Sequence, residues 1–222
     1  MNLCLFDLDH TLLPLDSDHE FGEFIIRQGL VDAGDYRRRN DEFYQRYCDG
    51  TLVLDDYIAF TTSVWRQMDE RAQSELQQAY MAEVISPALQ PQAVELVERH
   101  RAQGDLLAIV TATNEFVTRP IANAFNVEHL IAVKLARDAT GRVTGRIDGV
   151  PSFREGKITR VEQWLSDQGR HLSQFDRVSF YSDSPNDLPL LERATDPVAT
   201  NPSPELEAVA QARGWRILRL FA

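Results

Sequence analysis

Short, mostly apolar segments alternate with helical segments over most of this chain. The apolar segments run over residues 3–6, 106–110, 130–133, 177–182 and 197–200, with a weaker one over 216–220. Segments that are apolar on both faces are typical of central parallel strands, which helices cover on each side. Strands that alternate with helices predict an α/β fold with a Rossmann-like, doubly wound parallel sheet.

One long stretch departs from this alternation. Residues 15–86 contain no strand-like segment and show helical periodicity, with Phe21 and Phe24 on one face. We therefore expect a Rossmann-like core made of residues 1–14 and 87–222, with an α-helical cap domain inserted over residues 15–86. A chain of 222 residues is long enough to bury a core of that kind and to carry a small inserted domain.

Smaller elements are expected in the connections between the strands. The pattern predicts helices over 115–124, 156–168 and 185–193, a β-hairpin over 134–149, and a last helix that begins at Pro204 after an N-cap at Ser203.

The charge and the apolar segments exclude several classes of protein. The formal net charge is −11, and no basic stripe is present that displaces counterions from phosphates, so we expect no nucleic-acid partner. No apolar stretch approaches the roughly 18 residues that span a bilayer, and the first apolar run ends at Asp7, unlike a signal peptide. Cys4 and Cys48 lack metal-ligand spacing. We expect a cytoplasmic protein without a membrane partner, and the sequence leaves its oligomeric state open.

Polar residues follow the predicted strands at the places where ligands bind in such sheets. Asp7 and Asp9 follow the first strand, and residues two apart on an extended backbone point the same way. Thr111 follows the second strand, Lys157 begins a helix, and Asp183 follows the fourth strand.

Each of these residues has an ordinary structural interpretation when it is taken alone. Ser184 and Asp187 are typical of the start of a helix, Thr111 is compatible with a loop hydroxyl, and Lys157 with a solvated side chain. Carboxylates directly after a buried strand are harder to explain, because burying them is unfavourable unless they are paired or bind a metal.

The combination favours a phosphoryl-transfer site. Asp7, Asp9 and Asp183 at neighbouring strand ends repel one another in a crevice of low dielectric constant. A divalent cation relieves that repulsion, and Mg²⁺ prefers a few carboxylates together with water and a substrate phosphate. Lys157 and the hydroxyl of Thr111 then supply contacts to the phosphate.

The sequence resembles the haloacid dehalogenase superfamily, in particular its phosphatases with a helical C1-type cap (subfamily IB). The matching segments are Phe6-Asp7-Leu8-Asp9-His10-Thr11-Leu12, Ile109-Val110-Thr111, Lys157, and Tyr181-Ser182-Asp183-Ser184-Pro185-Asn186-Asp187. They occur in the order of the family, and the resemblance covers essentially the whole chain.

The resemblance implies a role for each matching residue. Asp7 attacks phosphorus and forms an aspartyl-phosphate, and Asp9 protonates the leaving group and then deprotonates the attacking water. Asp183, the Asp7 carboxylate and the Asp9 backbone carbonyl bind Mg²⁺. The remaining roles are phosphate binding by Thr111, Lys157 and Asn186, and support of the metal site by Asp187.

The resemblance is to phosphoserine phosphatases and histidinol-phosphatase-like proteins, with two departures. The cap arginine that binds the carboxylate of phosphoserine is missing, since no arginine occurs between Gly50 and Arg66, which argues against phosphoserine as the substrate. Serines replace the usual glycines at 182 and 184. A small phosphomonoester is expected, and Asp16 and Glu20 are candidates to bind an amine on it.

Three other functions use similar residues. A phosphotransferase passes the aspartyl-phosphate to an acceptor other than water, and nothing in the cap sequence separates it from a hydrolase. A non-catalytic phospho-ligand binding protein is disfavoured because no chemically necessary residue is missing. A response-regulator-like domain needs neither a cap nor the second aspartate, Asp9.

Overall fold

The computed structural model of the protein describes residues 1–221 and is built on a parallel sheet of six strands. The strands are β1 (Leu3–Phe6), β2 (Leu106–Asn114), β3 (His129–Val133), β4 (Leu135–Arg137), β5 (Val143–Ile147), β6 (Val178–Ser182), β7 (Asp196–Thr200) and β8 (Arg216–Leu218). The sheet has the order β3-β2-β1-β6-β7-β8, and β4 pairs with β5 as the predicted hairpin. The predicted α/β fold is confirmed.

The helices lie in two groups along the chain. The first comprises α1 (Ser17–Arg27), α2 (Ala33–Cys48), α3 (Leu54–Thr61), α4 (Glu70–Tyr80) with a π-helical turn over Met81–Ile85, and α5 (Ser86–Ala88). The second comprises α6 (Pro91–Ala102), α7 (Glu115–Ala124), α8 (Glu155–Ser166), α9 (Leu188–Leu191) and α10 (Pro204–Arg213). We refer to residues 15–86 as the helical insertion. Ala222, which the predicted core includes, lies outside the described residues.

Two predicted boundaries were wrong. β2 continues to Asn114, so Thr111 lies inside the strand rather than after it. The helix predicted over 185–193 is a 3₁₀ turn, Pro185–Asp187, followed by the short helix α9. Pro189 explains the second difference, because its nitrogen has no hydrogen to donate to the carbonyl of Pro185 four residues earlier.

Helix α7 passes through a proline without breaking. Pro120 lies inside the helix and leaves the carbonyl of Phe116 without its usual donor. The side chain of Gln77, on α4, donates to that carbonyl at 2.6 Å. A side chain that lies earlier in the chain, before α6, therefore supplies the donor that the Phe116 carbonyl would otherwise lack.

The alternation of side chains along β1 divides the core between the two faces of the sheet. Leu3 and Leu5 pack on one face, and Cys4 and Phe6 pack on the other. All four are fully buried. Fully burying a leucine side chain contributes about 2 kcal/mol, so this short strand is held strongly at the centre of the fold.

Helices α1 and α2 are in close contact at Gly22. A Cβ atom built at Gly22 would lie 2.5 Å from Nδ2 of Asn40 on α2. Asn40 is buried, and its Nδ2 donates to the carbonyl of His19 at 2.9 Å. The absence of a side chain at residue 22 is what allows this contact between the two helices.

Among residues 1–221, no helix has the length and the apolar character needed to cross a membrane.

Candidate active site

Two aspartates meet at the carboxyl edge of the sheet. Asp7 follows β1 and Asp183 follows β6, and these two strands pair in parallel. The Asp7 N–H donates to the carbonyl of Tyr181 at 2.9 Å and extends the pairing by one residue. The carboxylate of Asp7 is therefore presented by the centre of the sheet and is almost completely buried.

The hydroxyl of Thr11 lies between these two carboxylates. Its Oγ1 donates to Oδ1 of Asp183 at 3.2 Å and lies 3.5 Å from Oδ2 of Asp7. Burial raises the pKa of Asp183 well above its usual range, and the charges of Asp7 and Asp187 raise it further. Three carboxylates thus lie close together, those of Asp7 and Asp187 buried and that of Asp183 half-buried.

Lys157 is the cation closest to Asp7. Its Nζ donates to Oδ1 of Asp7 at 2.8 Å and to the Asp187 carboxylate at 2.7 Å, and the side chain is buried. Burial lowers the pKa of Lys157, but Asp187 and Asp7 raise it more strongly, so the lysine is charged. Burial raises the pKa of Asp7 to about 7, although Lys157 opposes that shift. Lys157 pairs with two of the three carboxylates, so one positive charge beside three acidic groups leaves a surplus of negative charge when they are ionised.

The donor set fits Mg²⁺. Within residues 1–221, no three His, Cys, Asp or Glu side chains are grouped as a complete metal site. Asp7 and Asp183 nevertheless both lie within reach of the same hydroxyl, and Mg²⁺ is commonly bound by one or two carboxylates together with waters and substrate phosphate. A divalent cation at this place would also offset the surplus negative charge.

Asp9 is held by two donors from different parts of the fold. Its Oδ1 accepts from the backbone N–H of Ser17 at 2.8 Å, and its Oδ2 accepts from Oγ1 of Thr113 at 2.9 Å. Burial raises the pKa of Asp9 to about 6, with a further contribution from Asp16, while the hydrogen bonds lower it. A carboxyl group with a pKa close to neutrality can both donate and accept a proton.

A cavity opens beside Asp7 and Asp9. Thr111, Ala112 and Thr113, on β2, line it next to the two aspartates. The helical insertion supplies the other lining residues, which are Asp16, Phe43, Tyr44, Tyr47, Leu52, Leu54 and Tyr57. No lysine or arginine among residues 1–221 lines this cavity. The walls that the helical insertion provides are thus aromatic and apolar, with one carboxylate at Asp16.

The candidate phosphate-binding residues occupy different positions. Oγ1 of Thr111 accepts from the backbone N–H of Thr113 at 3.1 Å, and Thr111 lines the cavity. Asn186 faces the helical insertion instead, since its Nδ2 donates to the carbonyl of Tyr47 at 3.3 Å and its Oδ1 accepts from Nε of Arg154 at 3.3 Å. In this conformation Asn186 lines a neighbouring cavity together with Asp183.

The two remaining candidates are Asp187 and Glu20, and their surroundings in the structure differ from those that the sequence predicted. Asp187 accepts from Lys157 and, at 2.7 Å, from Oγ of Ser182, so it holds the lysine in place. The hydroxyl of Ser182 thereby has a role that a glycine at this position would not fill. Glu20 is on α1 and does not line the cavity beside Asp7, whereas Asp16 does.

Sequence reasoning missed Thr11, Thr113, Arg154 and Asp18. Thr113 had a usable signal, because it is two residues beyond Thr111 and shares its face of an extended strand. Thr11 lies inside the matching segment that begins at Phe6, but no role was assigned to it. Arg154 and Asp18 carry no local signal, since their positions depend on contacts across the fold.

Asp18 is a buried carboxyl group without a cationic partner among residues 1–221. It is 2% exposed and accepts from Nδ2 of Asn114 at 3.4 Å. Burial raises its pKa to about 8, and the charges of Asp16 and Asp9 raise it as well. The carboxyl group is therefore largely protonated in the folded protein at neutral pH.

Comparison with known proteins places this site in a family. The haloacid dehalogenase-like hydrolase profile matches residues 4–192. A histidinol-phosphatase of Neisseria meningitidis serogroup C (strain 8013) is 40% identical, over 98% of each chain. The crystal structure of a protein of unknown function from Bordetella pertussis Tohama I has a TM-score of 0.93 at 50% identity and covers 99% of both chains.

A structure of a phosphoserine phosphatase with bound substrate shares the fold, with a TM-score of 0.69. Its identity is 16%, over 97% of this chain and 91% of the other. The chain therefore belongs to the haloacid dehalogenase-like hydrolase family, as its sequence motifs predicted, and its relatives confirm the expected enzyme class, a phosphatase.

Proposed function

We propose that this hydrolase cleaves a small phosphomonoester through an aspartyl-phosphate formed on Asp7. The observation that carries the proposal is the position of Asp7 at the end of the central strand, with Lys157 on one carboxylate oxygen and an open cavity beside the residue. A carboxylate held in this way has a fixed direction of attack, and the lysine offsets negative charge that a phosphate brings.

The reaction has two steps. In the first, an Asp7 oxygen bonds to phosphorus, the bond to the leaving oxygen breaks, and Asp9 gives that oxygen a proton. In the second, Asp9 takes a proton from water, whose oxygen attacks phosphorus and releases phosphate and the free Asp7 carboxylate. The two hydrogen bonds on Asp9, from Ser17 and Thr113, orient it for both transfers.

Asp7, Asp183 and the backbone carbonyl of Asp9 would hold Mg²⁺, which when bound shields the negative charge of the phosphoryl group. Lys157 and Thr111 bind phosphoryl oxygens, and Asp187 keeps Lys157 directed at them. Asn186 is assigned the same role as Lys157 and Thr111, through the second hydrogen of the Nδ2 amide group whose other hydrogen donates to Tyr47.

The helical insertion selects the substrate. We assign it the role of a cap, because α2, α3 and the segment between them supply six of the twelve residues that line the cavity. Aromatic walls with one carboxylate and no lining lysine or arginine suit a leaving group that carries a ring and a positive charge. They do not suit the carboxylate of phosphoserine, which needs a cationic partner. The substrate class is therefore the phosphate ester of a cationic amino alcohol, of the histidinol phosphate type.

Phosphate release from a panel of substrates tests the proposal. The panel contains histidinol phosphate, phosphoserine, sugar phosphates and an aryl phosphate, each with Mg²⁺ and with a chelator. We expect histidinol phosphate to give the highest kcat/KM, and the chelator to abolish turnover. Asp7→Asn should lower kcat by at least about a thousandfold, whereas Asp167→Asn, at an exposed position, should not.

The outcomes separate the parts of the proposal. Full activity of Asp7→Asn would refute the covalent step. Phosphoserine as the preferred substrate would refute the assignment of the cavity. Substrate consumption that requires an added alcohol acceptor, with the phosphoryl group recovered on that alcohol and not as free phosphate, would identify a phosphotransferase.

A further inference from the structure

Arg154 has a backbone conformation that is unfavourable for any residue with a side chain. Its φ is 51° and its ψ is −125°, the mirror image of an extended conformation, which only glycine adopts readily. The residue lies immediately before α8, outside the segments that carry the proposed chemistry. Such a conformation persists only where surrounding contacts impose it, so the contacts of the arginine side chain are informative.

The guanidinium group of Arg154 joins the core to the helical insertion. Nη2 donates to the carbonyl of Gly50, just beyond the end of α2, and Nε donates to Oδ1 of Asn186 at 3.3 Å. The ring of Phe153 lies under the guanidinium carbon at 4.9 Å. A planar guanidinium bridges two acceptors with fixed geometry, which a lysine ammonium cannot reproduce.

Gly50 is suited to this contact in two ways. Its φ is +69°, and a Cβ atom there would lie 2.8 Å from Nη2 of Arg154. A glycine therefore allows both the local turn and the close approach of the guanidinium.

Asn186 adds a second bond from the core to the same part of the insertion. Its Nδ2 donates to the carbonyl of Tyr47 at 3.3 Å, in the last turn of α2. The Tyr47 carbonyl also accepts from the N–H of Gly50 at 3.1 Å. Carbonyls at the carboxyl end of a helix carry partial negative charge, so a cation beside them is favourable. Core side chains thus hold two backbone carbonyls at this end of α2.

The backbone of Arg154 also contributes to the placement of Lys157. The N–H of Lys157 donates to the carbonyl of Arg154 at 3.0 Å, in the first turn of α8. One residue therefore contacts the wall of the cavity through its side chain and the helix of the phosphate-binding lysine through its backbone.

We propose that Arg154 is a positioning residue that clasps the carboxyl end of α2 onto the core and couples closure of the cavity to the placement of Lys157. We call this set of contacts, formed by Arg154 and Asn186 with the carbonyls of Tyr47 and Gly50, the Arg154 clasp. The inference rests on the proposed function, because the wall that the clasp closes is the one assigned to the substrate.

Hydrogen exchange tests the clasp independently of catalysis. Arg154→Gly removes the guanidinium and suits the backbone conformation, so the variant is expected to fold. Exchange of the backbone amides of residues 44–52 should become about tenfold faster in Arg154→Gly and in Arg154→Lys than in the wild type. Arg170→Ala is the matched control, since Arg170 lies beyond the other end of α8 and makes no side-chain hydrogen bond among residues 1–221. Unchanged exchange in both Arg154 variants would overturn the proposal.

Kinetics with histidinol phosphate provide the second measurement. We expect Arg154→Gly to raise KM by about tenfold, and free guanidinium, but not ammonium, to reverse part of that increase. A KM unchanged from wild type, or equal rescue by both cations, would contradict the clasp. If the wild type hydrolyses no phosphomonoester, the proposed function fails while the exchange experiment still decides whether the clasp exists.

Discussion

Replacement of Asp18 by asparagine is expected to change how the stability of the protein depends on pH. Asp18 is 2% exposed and has no cationic partner within residues 1–221. Asparagine has nearly the same shape, and its carbonyl oxygen can accept the hydrogen bond from Asn114. The substitution therefore removes a titrating proton and leaves the packing almost unchanged.

The direction of the effect follows from the two pKa values of Asp18. The usual pKa of the carboxyl group is 3.8, and burial raises it to about 8 in the folded protein. Between these values the folded protein retains a proton that the unfolded chain has released. The free energy of unfolding of the wild type therefore falls, relative to Asp18→Asn, as the pH rises through this window, and the difference is constant below it.

The magnitude follows from the same linkage. A difference of one bound proton between the two states changes the free energy of unfolding by about 1.4 kcal/mol per pH unit. Over the three units from about pH 5 to about pH 8, the free energy of unfolding of Asp18→Asn should therefore rise relative to that of the wild type by as much as about 4 kcal/mol.

Urea unfolding at a series of pH values, followed by tryptophan fluorescence, measures this difference. Titrating groups that do not interact with Asp18 contribute almost equally to both proteins and cancel in the subtraction. Asp167→Asn, at an exposed aspartate, is the control and should follow the wild type. If the difference in free energy of unfolding between the wild type and Asp18→Asn does not change from pH 5 to pH 8, Asp18 is not a protonated, buried carboxyl group.

Three further substitutions test other parts of the structure. Lys157→Met leaves two buried carboxylates unpaired, so without Mg²⁺ the free energy of unfolding should fall by about 3–5 kcal/mol. A decrease below about 1 kcal/mol, measured by urea unfolding, would contradict the pairing. Asp16→Asn preserves the helix cap but removes the charge, so KM for histidinol phosphate should rise about tenfold, while Glu20→Gln changes it less than about twofold. Gly145→Ala places a Cβ atom 1.7 Å from Nη1 of Arg66 at a φ of +83°, and thermal unfolding should show a loss of about 1–2 kcal/mol.

The hydrophobic pattern was sufficient to predict most of the fold. β1 and α7 have the predicted bounds, because an apolar run ends at Asp7 in one case and Asn114 caps the helix in the other. The local pattern failed where a second proline intervened, since Pro189 divided the helix predicted over 185–193. Pro120 did not divide α7, because Gln77 satisfies the carbonyl that this proline leaves free.

The candidate site was predictable where it depends on strand ends, and not where it depends on long-range contacts. Asp7 and Asp183 come together because β1 and β6 are neighbours in a parallel sheet. The contact between Asp187 and Lys157 joins residues that are 30 positions apart in the chain. No local sequence pattern encodes a contact of this kind. The orientation of Asn186 is likewise set by the helical insertion, which a strand-end argument does not describe.

The close contact between α1 and α2 restricts how the sequence of the insertion can vary. A side chain at residue 22 would displace the amide of Asn40 and deprive the His19 carbonyl of its donor. One substitution would thus create both a steric clash and an unsatisfied buried acceptor. In homologous sequences, residues 22 and 40 are therefore expected to change together, with a larger residue at 22 accompanied by a smaller one at 40. Such paired changes would mark how far the two helices have moved apart in the course of evolution.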